Sequence, residues 1–359
     1  MQTHGKTLDF SGQNIYAGFD VHLKSWSVTI MTDESTHKTF SQPPEPEVLH
    51  QYLQRNFPGG TYHTAYEAGF CGYWIHHSLV NLGIHSIVVN PADIPTTNKE
   101  KVQKEDKRDS RKIAKALRSG DLVPIYVPSS KTIEDRCLVR TRSMLVRDST
   151  RNKNRIKSFL HFHGIKILVS FENSRTHWSK RFINWLEAIE MKEDSSKLTL
   201  SLLISECKKL RGTILTVTRS IRELSQTEAY MKQEKLIRSV PGIGPITAIT
   251  FLTEVETITR FGNNDHLHSF VGIVPSTNSS GEDDKVGNIT SRGHSILRSA
   301  IIESAWIAIR HDPALMKAYH DYCKRMESNK AIIRIAKKLL NRISFVLKNQ
   351  QPYSLSVVK

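Results

Sequence analysis

Two short apolar runs in the N-terminal part of the chain each end in a carboxylate. Residues 15–20 read Ile-Tyr-Ala-Gly-Phe-Asp, and residues 62–67 read Tyr-His-Thr-Ala-Tyr-Glu. Runs of this length and composition form strands, so Asp20 and Glu67 stand at strand ends. Two further acids, Asp106 and Asp109, lie three apart in a segment of helical character and share one helix face. Two strand-end carboxylates and two on one helical turn can converge on a single point. An all-oxygen donor set of that kind suits Mg²⁺ or Mn²⁺. The setting is cationic, with 51 Lys and Arg against 35 Asp and Glu and a net charge of +16. Such a surplus favours a polyanionic partner, and an acidic metal cluster among cations points to a phosphodiester substrate. Charge by itself would equally suit a basic ribosomal or membrane-surface protein.

A length of 359 residues allows two or three domains, and 38% hydrophobic residues supply packed cores of modest size. The four cysteines, Cys71, Cys137, Cys207 and Cys323, are scattered without a Cys-x-x-Cys pair. That spacing argues against zinc ribbons and thioredoxin-like chemistry. The first twelve residues are polar and lack the apolar core of a signal peptide. No uncharged apolar stretch is long enough to span a bilayer. A cytosolic protein with reduced thiols is therefore expected.

Strands are expected over 14–20, 26–32 and 36–40, then a helix over 47–55 and a strand ending at Glu67. A helix over 73–82, a strand over 86–90 and a basic helix over 105–118 follow. Residues 136–157 then carry eight basic residues and one acid, Asp148. Arg147, Arg151 and Arg155, spaced by four, share a face and read as nucleic-acid contacts. Between Leu200 and Leu224, apolar residues recur at alternating spacings of three and four, a heptad seam over roughly 36 Å of helix. This predicts a coiled coil, within one chain or between two. The segment Pro241-Gly242-Ile243-Gly244 lies between helical stretches. It fits either a helix-hairpin-helix, with Gly242 and Gly244 admitting a phosphate, or a plain turn. A Ser-Gly loop at 276–281 precedes a helix bearing Arg292 and Arg298; on its own residues it reads as a plain loop, the alternative being a hydroxyl presented beside two phosphate clamps. The five tryptophans are dispersed, and no base-stacking platform is legible among them.

The motifs Gly18-Phe19-Asp20-Val21-His22, Tyr66-Glu67-Ala68, Asp106-Lys107-Arg108-Asp109, Pro241-Gly242-Ile243-Gly244 and Ser279-Ser280-Gly281 through Arg292-Gly293 recur in one order. Taken together they resemble the DEDD-type insertion-sequence transposases, to which the Piv DNA invertases are related. The resemblance implies an α/β plus α chain in three parts. These are a ribonuclease-H-like, RuvC-like metal nuclease domain over 1–130, a basic helix and coiled-coil region over 131–235, and a mostly helical transposase domain with the helix-hairpin-helix over 236–359. It implies Mg²⁺ at Asp20, Glu67, Asp106 and Asp109, and a serine that cuts and rejoins donor and target DNA. By motif match the serine is Ser280, with Ser279 beside it as the alternative. Dimers or tetramers and a structured guide RNA are further implications. The acidic stretch Glu282-Asp283-Asp284 departs from the family's basic or neutral loop. A RuvC-like endonuclease using water, or a binding protein without catalysis, are the competing readings.

Overall fold

The computed structural model describes residues 9–94, 106–280, 283–290 and 292–355, with backbone alone for 106–107, 276–280 and 283–288. The chain divides into two compact units, residues 1–130 and 131–359.

The first unit contains β1 (Asn14–Val21), β2 (Trp26–Thr32), β3 (Thr36–Gln42), β4 (Thr61–Glu67) and β5 (His85–Val89), joined in one sheet in the order β3-β2-β1-β4-β5. Short turns make β1–β2 and β2–β3 antiparallel, whereas β1–β4 and β4–β5 are parallel. Parallel neighbours need crossovers, which α1 (Pro46–Asn56) and α2 (Trp74–Asn81) supply. Side chains alternate between the two faces of the sheet. Ile15, Ala17 and Phe19 of β1, with Trp26, Val28 and Ile30 of β2, pack on Leu49, Leu53, Ile75 and Leu79 of α1 and α2. On the opposite face, Ala65 and Val89 meet Ile113 and Ala116 of α3 (Asp106–Ser119). Coverage on both faces explains why the run in β1 is nearly continuous rather than cleanly alternating. This architecture is consistent with a ribonuclease-H-like domain.

The second unit is mostly helical. Its two longest helices are α4 (Ser130–Phe162) and α6 (Asp194–Ser225), with α5 (Lys180–Glu187) between them. Val139 clusters with Ile221, while Ile156 and Leu160 cluster with Leu200, Ile204 and Cys207. Arg142 Nε donates to Thr218 Oγ1 at 2.9 Å. Residues early in α4 therefore meet residues late in α6, so the two run antiparallel. The heptad seam is occupied within the chain at Leu200, Cys207 and Ile221, while Leu198, Leu202 and Leu215 of the same helix are exposed. The remaining helices are α7 (Glu228–Arg238), α8 (Pro245–Val255), α9 (Asn264–Val271), α10 (Ser295–His311), α11 (Pro313–Cys323) and α12 (Ser328–Asn349). They enclose a core in which Ile332, Ile335, Ala336, Leu339, Leu340 and Ile343 form the buried stripe of α12. Spacings of one, three and four are those of an amphipathic helix laid across a core. A hairpin of β6 (Pro275–Ser280) and β7 (Asp283–Ile289) extends from this core between α9 and α10.

Candidate active site and nucleic-acid interface

In the first unit, Phe19 of β1 lies in register with Tyr66 of β4. The next residue on each parallel strand is a carboxylate, so Asp20 and Glu67 sit side by side at the carboxyl edge of the sheet. Their face is set by parity. Gly18 and Ala65, in register with each other, are two residues back and face α3. A Cβ on Gly18 would come within 2.1 Å of the Ala114 backbone nitrogen and 2.7 Å of the Ser110 carbonyl oxygen. The missing side chain thus lets α3 lie directly on β1. Ser110 Oγ is 3.2 Å from Ser27 Oγ and 3.0 Å from Thr29 Oγ1, and Ser27 is the register partner of Asp20. At the other end of α3, Arg118 Nη1 donates to Thr32 O, beside the start of β1. The helix consequently runs antiparallel to β1, and its first turn, which holds Asp106 and Asp109, lies at the end of the sheet that carries Asp20 and Glu67.

His22, which closes the first motif but carries no assigned role there, has its Nε2 3.2 Å from Asp20 Oδ2, with the Asp20 side chain 22% exposed. Among the described residues no group of three His, Cys, Asp or Glu side chains forms a metal cage, and the Asp106 side chain is outside that set. The donor chemistry still fits a hard divalent cation: carboxylates from two adjacent strands and one helix end, with hydroxyls alongside.

In the second unit the structure redistributes the sequence-predicted cations. Arg147, Arg151 and Arg155 are exposed on α4, and Arg151 Nη1 pairs with Asp148 Oδ1 at 3.2 Å. Arg142 and Arg147 line a cleft of about 390 Å³ whose other walls include Ile246 and Thr247 at the start of α8 and Ser295 and Ile296 at the start of α10. Unpaired N–H groups at helix starts favour anions. Arg136 and Arg140, from the same basic run, instead point inward to Glu254. Arg140 donates Nε and Nη2 to the two Glu254 carboxylate oxygens at 2.7 and 2.8 Å. Arg136 Nε stands 3.1 Å from Oε2 and His294 Nε2 3.0 Å from the same oxygen.

Burial pushes the Glu254 carboxyl up, but the hydrogen bonds and charges of Arg140 and His294 outweigh it and hold the pKa at about 2. A carboxyl held below its ordinary value of 4.5 contributes stability that is full above that pH and lost as pH falls toward about 2. Glu254→Ala would leave Arg136 buried without its counter-charge. It is expected to lower unfolding free energy by about 3–5 kcal/mol at pH 7, with the gap to wild type closing between pH 4.5 and 2. Urea melts across that range check it, and a loss below about 1 kcal/mol at pH 7 contradicts it.

The same cluster anchors the serine hairpin. His294 caps α10, accepting from Leu297 N, and its backbone N–H donates to Phe270 O. Arg298 Nη1 donates to Thr290 O at 2.9 Å, so Arg298 braces the base of the hairpin and is not a free phosphate clamp. Arg292 is exposed beside it. Gly272 and Gly293 cross at that base with φ of +79° and +137°, and a Cβ on Gly293 would fall 2.4 Å from Gly272 Cα. Within the predicted Ser-Gly loop, residues 276–280 are thus strand. Ser280 pairs in register with Asp283, and Ser279 with Asp284, at the hairpin tip; Gly281 and Glu282 lie outside the described residues.

Gly242 also has a different use from the one its motif suggests. Its φ is +86°, and a Cβ there would meet Ser304 O at 2.4 Å. Its smoothness admits the backbone of α10, not a phosphate. Gly244, the residue before α8, has open space around it.

Residues 17–165, from β1 of the first unit through the end of α4, match a DEDD-type transposase profile of the IS110 kind, and this span contains all four acids. Residues 234–321, which contain Gly242, Ser280 and Arg298, match the profile described as transposase, IS116/IS110/IS902 family. The chain belongs to the DEDD-type insertion-sequence transposases. Among its relatives, the transposase for insertion sequence element IS1533 of Leptospira borgpetersenii is 26% identical over 72% of this chain and 74% of its own length. That for IS1111A of Coxiella burnetii is 24% identical over 79% and 77%. The Sinorhizobium fredii protein named "Putative transposase y4qE" is 29% identical over 70% of this chain, which spans only 60% of that relative. Within this transposase family's two matched segments lie the carboxylate edge of the sheet and the serine hairpin, one in each unit. Among the described residues no helix is long and apolar enough to cross a membrane.

Proposed function

We propose that this transposase cuts and rejoins DNA with four carboxylates and a serine. The observation that carries the reading is the parallel register of β1 and β4, with the first turn of α3 at the same edge. Asp20, Glu67, Asp106 and Asp109 would hold Mg²⁺, or Mn²⁺, at the carboxyl edge of a RuvC-like sheet. The bound ion would supply Lewis acidity to the scissile phosphate. His22 Nε2, 3.2 Å from Asp20 Oδ2, orients Asp20, and Ser110 ties α3 to the strand that flanks Asp20.

Ser280 Oγ attacks phosphorus, its proton passing to a base. The bond from phosphorus to one deoxyribose oxygen breaks, and that oxygen takes up a proton. A phosphodiester is exchanged for a phosphodiester, so the linkage to serine retains the energy needed to join a new strand. Ser279 is the alternative nucleophile. The partners are donor and target DNA, a structured guide RNA and further copies of the chain. The helix-hairpin-helix segment contributes through Gly244 and the start of α8. Incubation with element-end DNA and Mg²⁺, followed by denaturation, tests the reading by whether protein stays attached to a cut strand.

The basic face of α4 gives a separate expectation. Replacing Arg147, Arg151 and Arg155 by Gln should weaken nucleic-acid binding and reduce the log–log salt slope by about one unit for each lost phosphate contact. Binding isotherms from 50 to 300 mM salt, roughly the useful range, check it. An unchanged slope would make this face a solvated surface.

A further inference from the structure

A groove of about 650 Å³ lies in the second unit between α4, α5 and α6. This is the size range of small-ligand sites. Val146, Ile183, Ile214 and Leu215 supply apolar walls, and Trp178 closes one side. Leu215 is 52% exposed at the mouth. Trp178 has φ +67°, a backbone region that a bulky side chain rarely occupies and that tends to recur at ligand clamps. The surroundings fix it there. Arg211 Nη1 donates to Trp178 O at 3.2 Å, and Phe182 packs edge-on with ring centroids 5.3 Å apart. Lys153 Nζ stands 5.5 Å from the indole centroid. Lys153, Lys180 and Arg211 rim the groove, and none of the three forms an ion pair among the described residues. The fourth cation, Lys208, pairs with Glu187.

An aromatic and apolar slot inside a ring of cations complements a flat base carrying phosphates. A second copy of this chain, with its own surplus of positive charge, does not match that rim. Bases of duplex DNA are stacked and must be extruded against a free-energy cost. Unpaired RNA bases are already splayed and commonly stack on aromatic side chains. We propose that this groove binds an unpaired nucleotide of RNA, its base against Trp178 and its flanking phosphates on Lys153, Lys180 and Arg211. The inference rests on the reading that RNA is a partner, and it assigns RNA a site distinct from the carboxylate edge and from the exposed arginines of α4.

The test uses the full chain with a fluorescent single-stranded RNA, the same sequence as single-stranded DNA, and duplex DNA. Trp178→Ala should weaken RNA binding by about tenfold, the loss of one stacked base, with duplex DNA binding unchanged. Leu215→Glu places a carboxylate at the exposed mouth without touching the core. It should weaken RNA binding by about fivefold or more at an unchanged melting midpoint, which keeps the test valid if Trp178→Ala unfolds. Equal RNA binding by wild type and Leu215→Glu overturns the groove assignment. Equal losses for single-stranded DNA overturn the assignment to RNA. A smaller oligomer mass for Leu215→Glu in light scattering would mean that a second chain covers the groove and also overturns it. If wild type binds no single-stranded RNA, the RNA partnership itself fails, a result distinct from the groove's failure.

Discussion

Asp20→Asn is expected to reduce Mg²⁺-dependent DNA strand cleavage by about three orders of magnitude or more, the scale on which loss of one preorganised electrostatic group acts at a reacting phosphate or carbonyl. The substitution keeps size and shape, removes the charge and turns one acceptor oxygen into a donor NH2. Asp20 sits beyond the packed part of β1, where Ile15, Ala17 and Phe19 carry the core, and its side chain is 22% exposed. Folding and the binding of duplex DNA are therefore expected to persist. Gel assays of strand cleavage, with circular dichroism and binding isotherms on the same preparation, check both halves. Cleavage within about tenfold of wild type would remove Asp20 from the chemistry.

How much of this site the sequence made legible depended on the range of the contacts involved. Asp20 and Glu67 were readable because each ends a local run, and because parallel strands with both faces covered leave little alternative for where such runs lie. The place of α3 was only half readable. Its acids are visible as a three-residue spacing, but the close approach that fixes it depends on Gly18 meeting Ala114 and Ser110, far away in the chain. Gly18 within an apolar run was the available signal, since a glycine inside a strand marks close backbone approach.

The arginines show the opposite case. Arg136 and Arg140 looked like Arg147 and Arg151 in the sequence because their counter-charge, Glu254, is 114 residues from Arg140. Gly242 looked like a phosphate-admitting turn because the α10 backbone that fills its space comes some sixty residues later. The heptad seam was correct as a periodicity, but period alone does not name the partner helix, and here α4 of the same chain takes part of it.

The second large effect concerns the hairpin tip. A serine hydroxyl is a weak nucleophile until a base or a metal activates it, and the backbone around Ser280 pairs it with Asp283. Ser280→Ala removes a single oxygen at the end of a two-stranded ribbon whose base is fixed by Gly272, Gly293, Arg298 and His294. Duplex binding and the melting midpoint should be unchanged, while strand exchange should fall by about three orders of magnitude or more, as for removal of a nucleophile elsewhere. Ser279→Ala, one residue back and paired with Asp284, is the matched control.

One trapping measurement decides whether carboxylates and a serine act together through a covalent protein–DNA linkage. Labelled element-end DNA is incubated with Mg²⁺ and wild type, Asp20→Asn or Ser280→Ala, then denatured and resolved by size. A labelled band at the mass of protein plus cut strand is expected for wild type and from neither variant, with the attached peptide containing Ser280. Cut DNA without any attached protein in the wild-type lane would contradict it and identify water as the nucleophile.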